Sequence, residues 1–167
     1  MRRILVLFSL AAMTAVGGIA RAPLATATGT SYSFNLIGPN TAMAESGPFA
    51  GDTIRVTGSG AFDTGAGTAT GSGSFTHIKA DGSVFARGTW AATGFTSFDA
   101  FGGPNPGRQG GVLDIVITLF PKGEPPVTDV PMSVTCLINA PSGLEEGTTV
   151  GDFTETTGGL TLFHLGS

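Results

Sequence analysis

Apolar residues and glycines alternate with serines and threonines through residues 53–92 of the chain. The segment GSGAFD at 58–63 returns as GSGSFT at 71–76, and GTW at 88–90 repeats the step from glycine to an aromatic residue. Alternation with a period of two is typical of β-strands that bury one face. We therefore expect three neighbouring strands of an antiparallel sheet in this part of the chain.

The turn between the second and third of these strands predicts how they pair. Asp81-Gly82 is a strong hairpin signal, because a type I′ turn needs positive φ at both central residues. A two-residue loop at this point places Phe75 opposite Gly88, and Gly73 opposite Trp90. Each ring would then cover the backbone that a glycine on the neighbouring strand leaves bare.

The preceding turn, at 64–67, gives the register of the first two strands. As a four-residue loop it places Phe62 opposite Ala69 and Val56 opposite Phe75. Both turns assign the same residues to the same face, and a slip of one residue would reverse every side chain. The predicted core face carries Ile54, Val56, Gly58, Gly60, Phe62, Ala69, Gly71, Gly73, Phe75, His77, Val84, Ala86, Gly88, Trp90 and Ala92.

More strands are expected on both sides of this segment, and no helix is convincing. Glycines on the inner face of three adjacent strands indicate strong curvature, as when a sheet closes on itself. We predict an all-β fold, a single antiparallel up-and-down barrel of about eight strands, with a two-layer β-sandwich as the alternative. The further strands are expected at 32–36 with a break at Gly38-Pro39 and a continuation through 41–45, then at 85–95, 112–120, 127–138, 148–154 and 160–165.

The segments GDTIRVTGSGAFD, GSGSFTH, DGS and GTW resemble a group of uncharacterised secreted bacterial proteins. Those proteins share glycine-rich strands in this order, then a late strand with a cysteine and an end similar to TLFH. The resemblance covers most of residues 51–165 and implies an exported β-protein. It brings no activity with it.

The pattern of glycines and aromatic residues is also similar to the eight-stranded barrels of allene oxide cyclases and dirigent proteins. Those barrels bind hydrophobic small molecules, so the similarity implies an apolar cavity. It rests on the glycine-aromatic strands alone, and no site residue is carried over from it.

The first 27 residues are typical of a secretory signal peptide. Arg2-Arg3 is followed by a mostly apolar stretch from 4 to 19, and Ala25-Thr26-Ala27 is a cleavage site of small residues. An uncleaved membrane anchor is the alternative. We expect cleavage after Ala27, a single β-barrel domain at 28–167, and a location outside the cytoplasm.

Cleavage would change the charge of the protein. It leaves five of the eight cations against twelve carboxylates, a formal net charge of −7. Such a chain is a poor partner for nucleic acids and for anionic membrane surfaces. The single cysteine, Cys136, alternates with apolar residues, which indicates a buried thiol rather than a reactive one. We expect no cofactor and no metal.

Three polar residues could form a site. His77 and His164 together with Asp114, which interrupts the apolar run at 112–120, could act as a metal or acid-base constellation. Alternatively, each histidine is satisfied by backbone or water near a strand end, and Asp114 binds Arg55 or Arg87.

The connection at 97–111 is the candidate functional loop, because structureless loops of this length are uncommon in compact domains. Phe98 and Phe101 within it could form a lid over a ligand, or they could join Phe95 in closing one end of the barrel.

These observations favour a non-catalytic binding or structural protein over an enzyme. The first hypothesis is a secreted protein that binds a small apolar molecule in or at the mouth of the barrel. The alternatives are an enzyme of isomerase or cyclase type using the same cavity, and an extracellular structural protein whose hydroxyl-rich outer face interacts with a surface. The candidate ligand-binding residues are Phe75, His77, Trp90, Asp114, Phe98 and Phe101.

Overall fold

The computed structural model describes residues 29–166, so the predicted signal peptide at 1–27 lies outside the described residues. Within this range, no helix has the length and apolar character needed to cross a membrane. The described elements are β1 (Ser31–Met43), the short 3-10 helix η1 (Gly47–Phe49), β2 (Thr53–Asp63), β3 (Thr68–Ile78), β4 (Val84–Asn105), β5 (Arg108–Pro121), β6 (Val127–Cys136), β7 (Gly147–Val150) and β8 (Glu155–Leu165).

The eight strands form one antiparallel sheet that curls into a partial ring. Strands β1 to β7 pair in chain order, and β8 returns to the outer edge of β1, with Tyr32 opposite Leu165. β5 meets β8 through one pair, Gln109 and Phe163, which closes part of the ring. The prediction of an all-β fold with about eight antiparallel strands is confirmed.

The registers predicted for the central strands are confirmed. Phe75 lies opposite Gly88, and Gly73 lies opposite Trp90. Phe62 lies opposite Ala69 across β2 and β3. The predicted core face is accordingly the buried one, and its buried members are Ile54, Val56, Phe62, Phe75, His77 and Trp90.

The turn after β3 differs from the prediction. Gly82 has a φ of 85°, but Asp81 is not among the residues with positive φ, so the turn is not type I′. The Lys79 N–H donates a hydrogen bond to Ser83 O at 2.8 Å, and this bond closes a loop of the three residues between them. A bulge between His77 and Ile78 then restores the predicted register. Because of this bulge, Val84 is exposed instead of lying on the core face.

Glycines under the rings are a steric requirement of this sheet. A Cβ on Gly73 would lie 2.6 Å from Trp90 Nε1, and one on Gly58 would lie 2.5 Å from Trp90 Cζ2. A Cβ on Gly88 would lie 3.0 Å from the Phe75 ring. The Trp90 indole also donates a hydrogen bond from Nε1 to Thr57 O at 3.0 Å, which satisfies its polar atom in the core.

One end of the sheet is filled by aromatic rings. Tyr32 stacks on Phe62 with 5.1 Å between ring centroids, and Phe98 lies 4.7 Å from both of these rings. Phe95 stacks on Phe62 at 6.0 Å, and Phe163 meets Phe98 edge to face at 5.1 Å. We call these five residues the aromatic plug.

The predicted loop at 97–111 is wrong. β4 continues to Asn105 and pairs with β5, with Phe98 opposite Leu113 and Asn105 opposite Arg108. Four irregularities in this ladder add residues to β4 and disturb the period of two. The segment is therefore a long hairpin that the period of two does not reveal. Phe95 and Phe98 of this hairpin form part of the aromatic plug.

Two other strands are longer than predicted for the same reason. β1 passes Gly38-Pro39 without ending, because a register shift between Leu36 and Asn40 absorbs the extra residues. β8 starts at Glu155, so the segment 156–159, which was expected to separate two strands, belongs to β8.

Side chains connect β8 and β1 to β6 and β7, where the ladder is incomplete. Asn40 is fully buried, donates to Leu160 O at 3.3 Å, and accepts from Thr148 Oγ1 at 3.2 Å. Thr161 donates its hydroxyl to Thr135 O. These bonds supply partners for buried polar groups that would otherwise destabilise the fold.

The packing of Trp90 on glycine can be tested with Gly73→Ala. We expect a loss of about 1–3 kcal/mol in the free energy of unfolding, because the methyl group would overlap the indole and the Thr57 carbonyl. The matched control is Gly94→Ala, whose methyl would meet Val116 Cβ at an ordinary 3.5 Å. Urea unfolding measures both variants, and equal stability for the two would contradict this packing.

Candidate functional site

A cavity of about 360 Å³ opens at the end of the sheet opposite the aromatic plug. The ends of β3, β5 and β7, the starts of β4 and β6, and η1 surround it. Its lining is mostly apolar, and ligand sites of this kind begin at about 300 Å³. The described lining residues are Phe49, Phe75, His77, Phe85, Ala86, Leu119, Pro121, Val127, Asp129, Val130, Pro131, Val150, Gly151 and Asp152.

His77 is the buried polar group in the wall of this cavity. It lies on the inner face of β3 with 6% of its surface exposed. Its Nε2 lies 2.7 Å from Asp52 Oδ2. Asp52 also accepts a hydrogen bond from the Ala80 N–H on Oδ1, at 2.9 Å. The carboxylate is thus fixed by two contacts, and it fixes the imidazole in turn.

Aromatic rings surround the imidazole. Phe49 and Phe153 meet it edge to face, with centroids at 5.1 Å and 4.9 Å. Phe85 is tilted against it at 4.7 Å. These contacts restrict rotation of His77 and keep water away from most of its ring.

The pKa of Asp52 is lowered from the ordinary value of 3.8, chiefly by the hydrogen bond from His77 and further by the Ala80 N–H. A carboxylate with a lowered pKa stays ionised near neutral pH. An ionised carboxylate is an acceptor only, so Nε2 of His77 carries the proton in this contact.

The mouth of the cavity combines apolar surface with carboxylates. Phe85 is 55% exposed and Val127 is 49% exposed. Asp129 lies in a β6 bulge with φ at 58°, and Asp152 follows β7. Among the described lining residues, these two exposed side chains carry formal negative charge at the rim.

The structure brings together two of the predicted ligand-binding residues and separates the others. Phe75 and His77 line the cavity. Trp90 is only 1% exposed, does not line the cavity, and packs over glycine within the core. Phe98 belongs to the plug at the other end, and Phe101 is half-buried near the tip of the β4–β5 hairpin.

Asp114 does not face His77. Leu113 and Ile115 point inward from β5, so Asp114 between them points outward. Its Oδ2 accepts a hydrogen bond from Ser97 Oγ at 2.8 Å, which replaces the predicted contact with an arginine. The predicted pairing of His77 with Asp114 is therefore wrong, because alternation along β5 places the carboxylate on the opposite face.

His164 also lies apart from His77. It is on the outer face of β8 together with Leu160 and Leu162, because the buried Thr161 and Phe163 face inward. Within residues 29–166, no three His, Cys, Asp or Glu side chains lie close enough together to hold a metal ion.

Cys136 is buried and forms no disulfide. Burial raises the pKa of its thiol, which opposes formation of the reactive thiolate. The interpretation of Cys136 as a core residue is confirmed.

Sequence reasoning missed Asp52, Phe49 and Phe153. The signal for Asp52 was present: the predicted register places Ile54 opposite His77, and Asp52 lies two residues before Ile54 on the same face. Phe49 lies in a connection, where no periodicity indicates which side chains turn inward. Phe153 was expected within a strand at 148–154, but β7 ends at Val150 and the chain turns back so that Phe153 bridges to Val150.

Comparison of the chain with protein-family models, with curated proteins and with solved structures finds no match. The resemblance to secreted bacterial β-proteins and the similarity to dirigent-type barrels therefore stay expectations from the sequence. The cavity itself is the basis for a functional proposal.

The contact between Asp52 and His77 makes stability depend on pH. Because folding lowers the pKa of Asp52, its contribution is present above 3.8 and is lost as the pH falls through the lower value of the folded protein. We expect Asp52→Asn to be less stable than the natural protein near neutral pH, with the difference shrinking in acid.

Urea unfolding at a series of pH values measures this difference. Asp152→Asn, which removes an exposed rim carboxylate without a hydrogen-bond partner among the described residues, is the control. A difference for Asp52→Asn that is the same at low and neutral pH would contradict the assignment.

Proposed function

We propose that the protein is an exported β-barrel-like protein that binds a small apolar molecule in the cavity between β3, β4, β5 and β6. The observation that supports this most strongly is the contrast between the two ends of the sheet. Aromatic side chains fill one end, whereas the other encloses about 360 Å³ beneath the exposed Phe85 and Val127. Leaving large apolar side chains exposed around a cavity costs solvation energy, which a bound apolar ligand would recover.

The charges near the cavity disfavour an anionic ligand. Asp129 and Asp152 stand at its rim, and the chain after cleavage would carry a net charge of −7. Nucleic acids and anionic surfaces are therefore unsuitable partners.

Ala86→Leu tests the cavity directly. Ala86 lines it, and the larger side chain would occupy part of its volume. We expect binding of N-phenyl-1-naphthylamine, a neutral apolar probe, to weaken by about tenfold or more, equivalent to about 1.4 kcal/mol. Fluorescence titration of the probe measures this.

Ala69→Leu is the matched control. Ala69 is also half-buried against the core, but it lies opposite Phe62 in the plug. Thermal unfolding shows whether both variants fold. Absence of probe binding to the natural protein, or equal weakening by the two substitutions, would refute the proposed site.

Export is tested by the mass of the protein recovered from a bacterial host that expresses residues 1–167. We expect a chain that starts at Thr28 outside the cytoplasm, because Ala25-Thr26-Ala27 has the small residues of a cleavage site. Recovery of the uncleaved chain from the cytoplasm or membrane would contradict this part of the proposal.

A second candidate function is an enzyme of isomerase or cyclase type in the same cavity. The pair of Asp52 and His77 favours it, because a carboxylate that orients an imidazole is an arrangement suited to general-base catalysis. To test it, ligands that bind are incubated with the natural protein and with His77→Gln. Chromatography then detects any product of the same mass as the ligand. Rearrangement at equal rates in both would exclude His77 as the base.

A further inference from the structure

His77 lines the cavity and has a second ring nitrogen, Nδ1, besides the one bound to Asp52. Nε2 is bound to Asp52, and the described residues offer Nδ1 no hydrogen-bond partner. No fully buried side-chain nitrogen or oxygen in residues 29–166 lacks a partner. Nδ1 is therefore not fully buried, and its residue lines the cavity.

The contact with Asp52 determines what Nδ1 can do. Because the carboxylate accepts the proton of Nε2, the ring in its neutral form presents a lone pair at Nδ1. An apolar ligand without polar groups would cover this acceptor and displace water from it. Leaving a buried acceptor unpaired weakens binding, so a ligand with a matching donor is preferred.

The rim limits the kind of donor. Asp129 and Asp152 disfavour ligands that carry a carboxylate or phosphate. An ammonium group would be attracted by these carboxylates, but its charge would lose water against the apolar lining, whereas a hydroxyl group supplies a donor without charge. The surrounding rings of Phe49, Phe75 and Phe85 suit the flat apolar body of such a molecule.

We propose that the ligand is a neutral apolar alcohol or phenol, whose hydroxyl group donates a hydrogen bond to Nδ1 of His77. This inference rests on the proposed function, because it assigns the ligand class of the same cavity. Asp52 acts as a positioning residue, since it sets which ring nitrogen is the acceptor.

The test compares ligands of nearly equal shape. Displacement of N-phenyl-1-naphthylamine by 2-naphthol, 2-methylnaphthalene and 2-naphthoate is measured at about pH 8, where imidazoles are generally neutral. We expect 2-naphthol to bind about tenfold more tightly than 2-methylnaphthalene, and 2-naphthoate to bind most weakly. In His77→Phe, the preference for 2-naphthol over 2-methylnaphthalene should disappear while the hydrocarbon still binds.

Asp52→Asn tests whether Asp52 sets the proton position on His77. A purely structural role of Asp52 would not change the order in which the protein prefers its ligands. The Ala80 N–H would keep the amide oxygen at the Oδ1 position, so the amide nitrogen would face Nε2 and donate to it. Nδ1 would then carry the proton and become a donor. We expect this variant to prefer 2-acetonaphthone, which has only an acceptor, over 2-naphthol, reversing the order of the natural protein.

The outcomes separate this inference from the proposed function. Equal affinity of the natural protein for 2-naphthol and 2-methylnaphthalene would overturn the hydroxyl assignment and leave the apolar site standing. Failure of every neutral naphthalene to bind would overturn both. If His77→Phe does not fold, the order of affinities in Asp52→Asn decides, and an unchanged order would refute the role of Nδ1.

Discussion

The close packing of Trp90 against the backbone of Gly58 and Gly73 is the constraint on which the rest of this structure depends. The indole occupies space that any side chain on those two residues would fill. It thereby fixes the register of β2, β3 and β4, because a shift of one residue would place a side chain beneath the ring. The register then decides which residues face inward, and His77 is one of them.

The inner face of the sheet is packed differently at its two ends. Toward the start of β3, phenylalanine and tyrosine rings pack against one another at the plug. Toward the end of β3, the inward residues are smaller or polar, as at Ala86, and the rings of Phe49 and Phe85 stand around an open volume. The contact of Asp52 with His77 places one oriented polar group within that volume. A mostly apolar cavity with one oriented imidazole in its wall is an arrangement that selects ligands by shape and by a hydrogen bond.

The sequence predicted the central meander in detail, because alternation, turn length and glycine positions all specified the same pairing. It also predicted that His77 and Phe75 face inward. It failed where bulges add residues: the period of two is lost in β4 from Ala92 onward, and a strand of 22 residues was interpreted as a strand followed by a loop. The candidate site was only partly predictable, since Asp52 follows from the register, whereas Phe49 depends on how a connecting segment folds back over the sheet.

The central claim, that the ring of Trp90 lies on bare glycine backbone, is tested most directly by proton NMR. Ring currents of the indole should shift the Hα resonances of Gly58 and Gly73 well outside the usual glycine range, and both should show nuclear Overhauser contacts to the indole protons. Glycine Hα resonances at ordinary positions, without contacts to Trp90, would contradict the register and with it the assignment of the cavity.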